Sequence, residues 1–195
     1  MKSVSVQVLY SELRRRSVAL FLVVGGLALA GLPAVVDAKV FYARAEALTL
    51  AFPDAEKIEA RDFILTVEQH ARVEKLSRAT LDTRLVTVYE GWYGGKPQKF
   101  AVFDSQNVRT FAATILVVIS PAGAVQGTHV LAFHEPQEYL PPQRWLDRFH
   151  DKTQADEMQI GRDIAGITGS TLSTRAVSTS VRRALAVWGV TIGGR

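Results

Sequence analysis

The stretch "TILVVISPAGAVQGTHVLAF" (residues 114–133) contains two β-rich runs separated by a short segment with proline and glycine. Residues 115–119 are continuously apolar, as is typical of a strand that is buried on both faces. The intervening "PAGA" (residues 121–124) has the composition of a tight turn. The pattern therefore predicts a β-hairpin whose first strand lies at the centre of a sheet.

A second hairpin is predicted just before the first. The runs "RLVTVYEGWY" (residues 84–93) and "QKFAVFD" (residues 98–104) are rich in β-branched and aromatic residues, and "GGKP" (residues 94–97) separates them. Two β-rich runs around a glycine-containing turn are typical of a hairpin. The sequence thus predicts an antiparallel sheet of at least four strands.

Helical spacing of apolar residues appears on both sides of these hairpins. A first helix is predicted from Phe41, Ala45, Leu48 and Phe52, and Pro53 closes it. A second is predicted within residues 65–81, with the apolar positions Val67, Ala71, Val73 and Leu76.

After the hairpins, Pro142 can open a short helix with Trp145, Leu146 and Phe149 on its apolar side. The C-terminal helix has its stripe at Val177, Val181, Ala184, Leu185 and Trp188. We predict an α+β fold with a mainly antiparallel sheet flanked by helices.

The composition limits the classes of function. The chain has 195 residues, 48% of them hydrophobic, which is enough for one ordinary domain. A net charge of +4 is too small for the dense basic face of a nucleic-acid-binding protein. The absence of cysteine excludes disulfides, iron–sulfur ligation by thiolates, covalent c-type haem and cysteine nucleophiles. The four histidines lack the spacing of a metal site, and we predict none.

The N-terminal part of the chain has the pattern of a membrane-targeting segment. Residues 17–36 contain no charged residue and follow Arg14, Arg15 and Arg16. A signal peptide and an uncleaved membrane helix both fit this pattern. Either one places the residues beyond about 40 on the outer side of the membrane, because the positive charges stay inside. We therefore divide the chain into residues 1–38, a signal peptide or anchor, and residues 39–195, a folded domain.

The segment "GITGSTLSTRAV" (residues 166–177) has five hydroxyl side chains and two glycines, and it leads into the C-terminal helix at about Ser173 or Thr174. No acidic residue follows Asp163. A helix N-terminus offers unpaired amides to an anion, so that the segment suits phosphate, with Arg175 as a nearby cation. Serine and threonine also serve simply as N-caps, and composition alone does not separate the two interpretations.

Within this segment "TGSTLS" (residues 168–173) resembles the flavinylation signature of the FMN-binding domain found in the G subunit of the Rnf complex and the C subunit of sodium-pumping NADH:quinone reductase. That signature is Ser or Thr, Gly, Ala, Thr, with Ser or Thr soon after. Other features occur in the same order along the chain as in that family: the hairpin at residues 114–133, then Glu135 with Pro136, and finally the terminal helix. The resemblance covers roughly residues 85–188. It implies that FMN is joined through a phosphoester to Thr171 by a flavin transferase outside the cytoplasm.

The sequence departs from that family at three places. Ser170 stands where alanine is most common, and Ala165 stands where an aspartate is frequent, with Asp163 two positions earlier. The segment "QEYLPPQRW" (residues 137–145) replaces a glycine-rich stretch. The chain thus resembles a stand-alone exported branch of the family rather than a Rnf subunit.

The resemblance implies a set of cofactor contacts and a function. Around Thr171, the predicted FMN contacts are Thr168, Gly169, Ser170, Leu172 and Ser173; Glu135, Tyr139 and Trp145 are candidates for contact with the ring, with core packing as the alternative for Trp145. No catalytic residue is predicted. The implied protein is a periplasmic or outer-face electron-transfer flavoprotein whose redox partner is a membrane quinol oxidoreductase, a cytochrome or another flavoprotein. The alternatives are a module that holds FMN non-covalently or regulates a membrane redox system, and an extracytoplasmic reductase.

Overall fold

The computed structural model describes residues 39–194, which form a six-stranded antiparallel sheet with helices on both faces. The strands are β1 (Lys39–Val40), β2 (Lys57–Ile64), β3 (Leu85–Tyr93), β4 (Lys96–Asn107), β5 (Ala112–Ile119) and β6 (Val125–Phe133). The helices are α1 (Arg44–Ala51), α2 (Val67–Ser77), α3 (Gln143–Leu146) and α4 (Thr171–Thr191). Two short 3-10 turns, Gln137–Tyr139 and Asp147–Phe149, flank α3. The predicted α+β class is confirmed.

Strand order in the sheet is β1-β6-β5-β4-β3-β2, so that both predicted hairpins are present as neighbouring pairs. As predicted, β5 lies inside the sheet with strands on both sides. Leu116 and Val118 pack on one face of the sheet, whereas Ile115, Val117 and Ile119 pack on the other. The continuously apolar run therefore reflects burial on both faces.

Helices cover the two faces unequally. On the first face, α1 contributes Ala47 and Ala51 to a small cluster with Leu116 and Val118. On the second face, α2 and α4 cover the larger cluster. The predicted stripe of α4 is confirmed, since Val177, Val181, Ala184 and Leu185 are buried and the partly buried Trp188 meets Phe100 edge to face, with 6.1 Å between ring centroids. This packing fixes the position of the N-terminus of α4 relative to the sheet.

The structure corrects the prediction in several details. β1 and β2 are not predicted from the sequence. β2 has the sequence "KIEARDFI", in which four charged residues interrupt the pattern typical of a strand. It lies at an edge of the sheet and pairs with β3 only. The helix predicted within residues 65–81 is confirmed as the 11-residue α2, which ends where the chain enters the left-handed region at Arg78 (φ 57°). Val73 of α2 is buried, whereas Val67 and Ala71 are exposed. α4 begins at Thr171, earlier than predicted.

The short helix α3 follows Pro142 as predicted, and the three apolar residues expected there, Trp145, Leu146 and Phe149, are all buried. Within residues 39–194, no helix combines the length and apolar character needed to cross a membrane. The apolar segment at residues 17–36 lies outside the described residues.

Candidate functional site

The N-terminus of α4 has no side-chain cap. Ser170 occupies the N-cap position, but its hydroxyl makes no capping hydrogen bond. The first intrahelical bond is donated by the Thr174 N–H to the Ser170 carbonyl oxygen (3.0 Å), which leaves the amides of the preceding residues without an intrahelical partner. By contrast, the Thr66 hydroxyl at the start of α2 accepts the Gln69 N–H (3.1 Å). The hydroxyls before α4 therefore do not serve as its caps, and its first amides are available to an anion.

A pocket of about 210 Å³ lies at this helix terminus. It is bounded by the start of α4, the turn that joins β4 to β5, and the segment that follows β6. Its lining residues are Val108, Arg109, Glu135, Tyr139, Gly169, Ser170, Thr171, Leu172 and Ser173. Seven of these nine are residues that the sequence predicted as contacts of the cofactor. The fold thus assembles most of the predicted site from three separate segments.

The hydroxyl groups near the pocket differ in accessibility. Ser170, Ser173 and Thr174 are buried, with exposed fractions of 5%, 2% and 0%, whereas Thr171 is exposed. The Thr174 hydroxyl donates to the Thr171 carbonyl oxygen (3.0 Å), and the buried Ser173 Oγ has no hydrogen-bond partner. Thr168 is exposed but does not line the pocket. Between residues 168 and 174, Thr171 is therefore the one hydroxyl that both lines the pocket and faces solvent.

Gly169 makes the turn into α4 possible. Its φ of +83° lies in the left-handed region that favours glycine, and the turn is closed by the Ser170 N–H, which donates to the Ile167 carbonyl oxygen (3.1 Å). No heavy atom lies within 4 Å of a Cβ added at Gly169. The requirement for glycine is thus one of backbone conformation and not of space.

Gly169→Ala is expected to lower the free energy of unfolding by about 1–2 kcal/mol, because alanine is strained at a positive φ. The matched control is Gly189→Ala inside α4, where an added Cβ also meets nothing within 4 Å but the backbone is helical. The control should be neutral or stabilising by up to about 1 kcal/mol. Urea unfolding of both variants checks this, and equal effects would contradict the conformational argument.

Glu135 organises the wall of the pocket opposite α4. Its buried carboxylate accepts three backbone N–H groups on Oε1, from Arg109 (3.2 Å), Thr110 (2.6 Å) and Phe111 (2.8 Å). These bonds, first that from Phe111, hold the pKa of Glu135 below its usual value. Glu135 thereby fixes the turn between β4 and β5 and remains ionised at neutral pH.

Val108 and Arg109 also line the pocket, although no sequence pattern indicates them. The register of β5 and β6 pairs Ala113 with Phe133, which brings the turn before β5 to the same sheet edge as Glu135. A prediction of which residues pair between β5 and β6 would have placed this turn beside Glu135. Arg109 adds an exposed guanidinium to the pocket, whereas Arg175, the cation predicted from sequence, lines a different cavity.

The structure places Trp145 in the core instead of the pocket. Its side chain is buried, and its ring meets Phe149 edge to face at 5.4 Å between centroids. The indole Nε1–H donates to the Ala165 carbonyl oxygen (2.6 Å). Trp145 therefore positions the chain that leads into the hydroxyl-rich segment.

Trp145→Phe should keep the ring packing and remove the bond to Ala165. We expect a loss of about 1–2 kcal/mol in the free energy of unfolding, the usual cost of an unsatisfied polar group. The absorption spectrum of bound flavin should stay unchanged, because the ring does not line the pocket. A shifted flavin spectrum with unchanged stability would instead indicate direct contact with the cofactor.

Comparison with known protein families agrees with this geometry. Residues 112–186 match the family of FMN-binding domains. The matched range runs from β5 into α4 and includes Glu135, Tyr139 and the whole hydroxyl-rich segment. The match supports FMN as the cofactor and a flavin-binding role in electron transfer. Comparison with curated proteins gave no match.

The residues of the pocket fit FMN. For the phosphate, the site offers the unpaired amides at the start of α4, the orphaned Ser173 hydroxyl and the guanidinium of Arg109. For the isoalloxazine ring, it offers Val108, Tyr139 and the partly exposed Leu172 as apolar walls. These donors and walls are of the kinds that a flavin mononucleotide requires.

Proposed function

We propose that this protein is an extracytoplasmic electron-transfer flavoprotein that carries FMN as a phosphoester on Thr171. The observation that carries the proposal is the position of Thr171, an exposed hydroxyl in the first turn of an uncapped helix that lines the FMN pocket. A flavin transferase can reach this side chain, whereas the neighbouring hydroxyls of Ser170 and Ser173 are buried. The linkage in this proposal is the one that the resemblance of "TGSTLS" implies.

The helix start serves as the phosphate site in this proposal. A phosphodiester on the Thr171 oxygen keeps one negative charge, and the helix dipole and the free amides of the first turn stabilise that charge. Arg109 lies on the opposite wall and adds a positive charge. The Glu135 carboxylate interacts with the charge of Arg109, but it is bound first by the three amides of the turn.

The bound flavin supplies the redox chemistry, and the chain positions the flavin and controls access to it. Leu172 lines the pocket yet is 45% exposed, so that the cofactor site opens toward the surface. An open site suits electron exchange by close approach of a partner better than turnover of an enclosed substrate. The proposed partners are a membrane quinol oxidoreductase, a cytochrome or another flavoprotein.

The proposed location is the periplasm or the outer face of the inner membrane. The supporting observation is the uncharged segment at residues 17–36 behind three arginines. Covalent attachment also suits that location, because a non-covalently held flavin would be lost there by diffusion.

The experiment is expression of the full chain with an export-competent flavin transferase, followed by denaturing gel electrophoresis. We expect a fluorescent flavin band at the mass of the protein that bleaches on reduction. Flavin that copurifies but leaves the chain on denaturation would support the non-covalent module instead. Turnover of a small acceptor by the purified protein would support a reductase.

A further inference from the structure

A second cavity, of about 380 Å³, lies along α4 beyond the FMN pocket. It is bounded by the C-terminal end of α2, the loop after residue 157, and the middle of α4. The lining residues are Arg78, Gln159, Ile160, Arg175, Ser178, Thr179 and Arg182, and we call this the basic pocket. It shares no residue with the FMN pocket.

Three arginines line the basic pocket, and no carboxylate does. Arg175 and Arg182 are two turns apart on the same face of α4, and Arg78 reaches the cavity from the left-handed end of α2. Like charges at this spacing oppose the folded state unless an anion compensates them.

Arg182 is held in place by neutral groups. Its Nε donates to the Ser77 carbonyl oxygen (2.9 Å), and its Nη1 donates to the Met158 carbonyl oxygen (2.8 Å). Burial, and next the charge of Arg78, hold the pKa of Arg182 below its ordinary value. None of these partners cancels the positive charge of the guanidinium.

The acidic group that acts on Arg182 is already engaged elsewhere. The Asp163 carboxylate accepts the N–H groups of Met158 (2.8 Å) and Gln159 (2.7 Å), and it pairs with Lys152 at 3.6 Å. Asp163 does not line the cavity. Lys152 lies closer to Asp156 (3.0 Å), so that Asp163 offsets part of the Arg182 charge from outside the cavity, whereas no carboxylate of the described residues lines the basic pocket itself.

The guanidinium groups of Arg78 and Arg175 have N–H donors that are not engaged by the described part of the chain. Arg175 is exposed and has no hydrogen-bond or ion-pair partner among residues 39–194, and Arg78 donates only a long bond (3.4 Å) to Gln159 Oε1. A planar guanidinium fork matches two oxygens of a phosphate or carboxylate. Three such charges around one cavity favour a multiply charged oxyanion over a single carboxylate.

We propose that the basic pocket binds a phosphate group, as a second anion site that is independent of the flavin phosphate. Arg78 and Arg175 donate hydrogen bonds to the oxyanion, and the partly buried Arg182 contributes a fixed positive charge to the site. The hydroxyl of Thr179 and the amide of Gln159 provide further polar contacts. Two sources share this chemistry, a soluble phosphate compound and the headgroup of an anionic lipid.

The test is a titration of the full chain with inorganic pyrophosphate. Binding is measured by calorimetry and by broadening of the ³¹P resonances. We expect saturable binding that Arg78→Gln and Arg175→Gln each weaken by about tenfold, the effect of losing one charge-assisted contact. The control is Arg72→Gln, which removes an exposed guanidinium of α2 outside the cavity and should leave the affinity unchanged. Equal binding in a Thr171→Ala background separates this proposal from the flavin proposal.

Vesicles distinguish the two sources. If the ligand is a lipid headgroup, Arg175→Gln will reduce binding to vesicles that contain phosphatidylglycerol but not to those of phosphatidylcholine alone. If it is a soluble phosphate compound, vesicle binding will not respond to the variant although pyrophosphate binding does. The proposal is overturned if neither pyrophosphate nor anionic vesicles bind in a way that depends on Arg78 and Arg175.

Discussion

Thr171→Ala is expected to abolish covalent flavin attachment, so that the chain coexpressed with the transferase keeps its unmodified mass. The reason is accessibility, because Ser170, Ser173 and Thr174 are buried and cannot present a hydroxyl to another enzyme. Thr168 is exposed but lies outside the pocket. No neighbouring residue can therefore replace Thr171. Intact-mass measurement of the purified protein checks this.

Two variants serve as controls for that experiment. Thr168→Ala removes the other exposed hydroxyl of "TGSTLS", and any adduct that this variant carries should still lie on Thr171. Thr171→Ser restores a hydroxyl at the same position and should recover at least part of it. An adduct that persists in Thr171→Ala would contradict the assignment. So would an adduct in Thr168→Ala that maps to a residue other than Thr171.

Glu135→Ala is expected to have the second largest effect, a loss of about 2–4 kcal/mol in the free energy of unfolding. The substitution removes a buried carboxylate that accepts the amides of Arg109, Thr110 and Phe111. Hydrogen bonds to a charged group contribute about 1.5–3 kcal/mol, and unpaired amides add a desolvation cost. Because the same turn forms a wall of the FMN pocket, flavin fluorescence should also become more accessible to quenchers.

Glu135→Gln provides the matched variant for pH dependence. The pKa of Glu135 is lowered in the folded state, so that its contribution is fully present above the unfolded value of about 4.3. This contribution is lost as the pH falls through the lowered folded pKa. The difference in stability between the natural protein and Glu135→Gln should therefore be constant near neutrality and shrink in acid. A difference that grows in acid would be inconsistent with the lowered pKa.

The elements that could be predicted from the sequence are those in which buried positions produce a regular pattern of apolar residues. Residues 115–119 of β5 are all apolar because both faces of the strand are covered there, and the α4 stripe follows the helical period against one face of the sheet. β2 escaped prediction because an edge strand with four charged residues is stabilised by pairing with β3, which no local pattern records. The exact end of α2 is not visible in the sequence either, because Arg78 adopts the left-handed conformation without a glycine at that position.

The site was predictable where its residues are contiguous. Gly169 to Ser173 are adjacent in the sequence, and Glu135 and Tyr139 are candidates because they follow β6; all of them line the pocket. Arg109 reaches the pocket through the register of β5 against β6, a non-local property. For Trp145 the sequence leaves ring contact and core packing open, because an aromatic residue near a site packs as readily beneath it as in it, and the structure shows core packing.

The measurement that tests the central claim most directly is peptide mapping of the flavinylated chain. Trypsin cleaves after Arg162 and Arg175, and the resulting peptide (residues 163–175) contains all five hydroxyl side chains of the hydroxyl-rich segment. We predict that this peptide carries the added mass of an FMN phosphoester and that fragmentation assigns it to Thr171. An adduct on another hydroxyl, or an unmodified peptide from a chain that retains flavin, would contradict it.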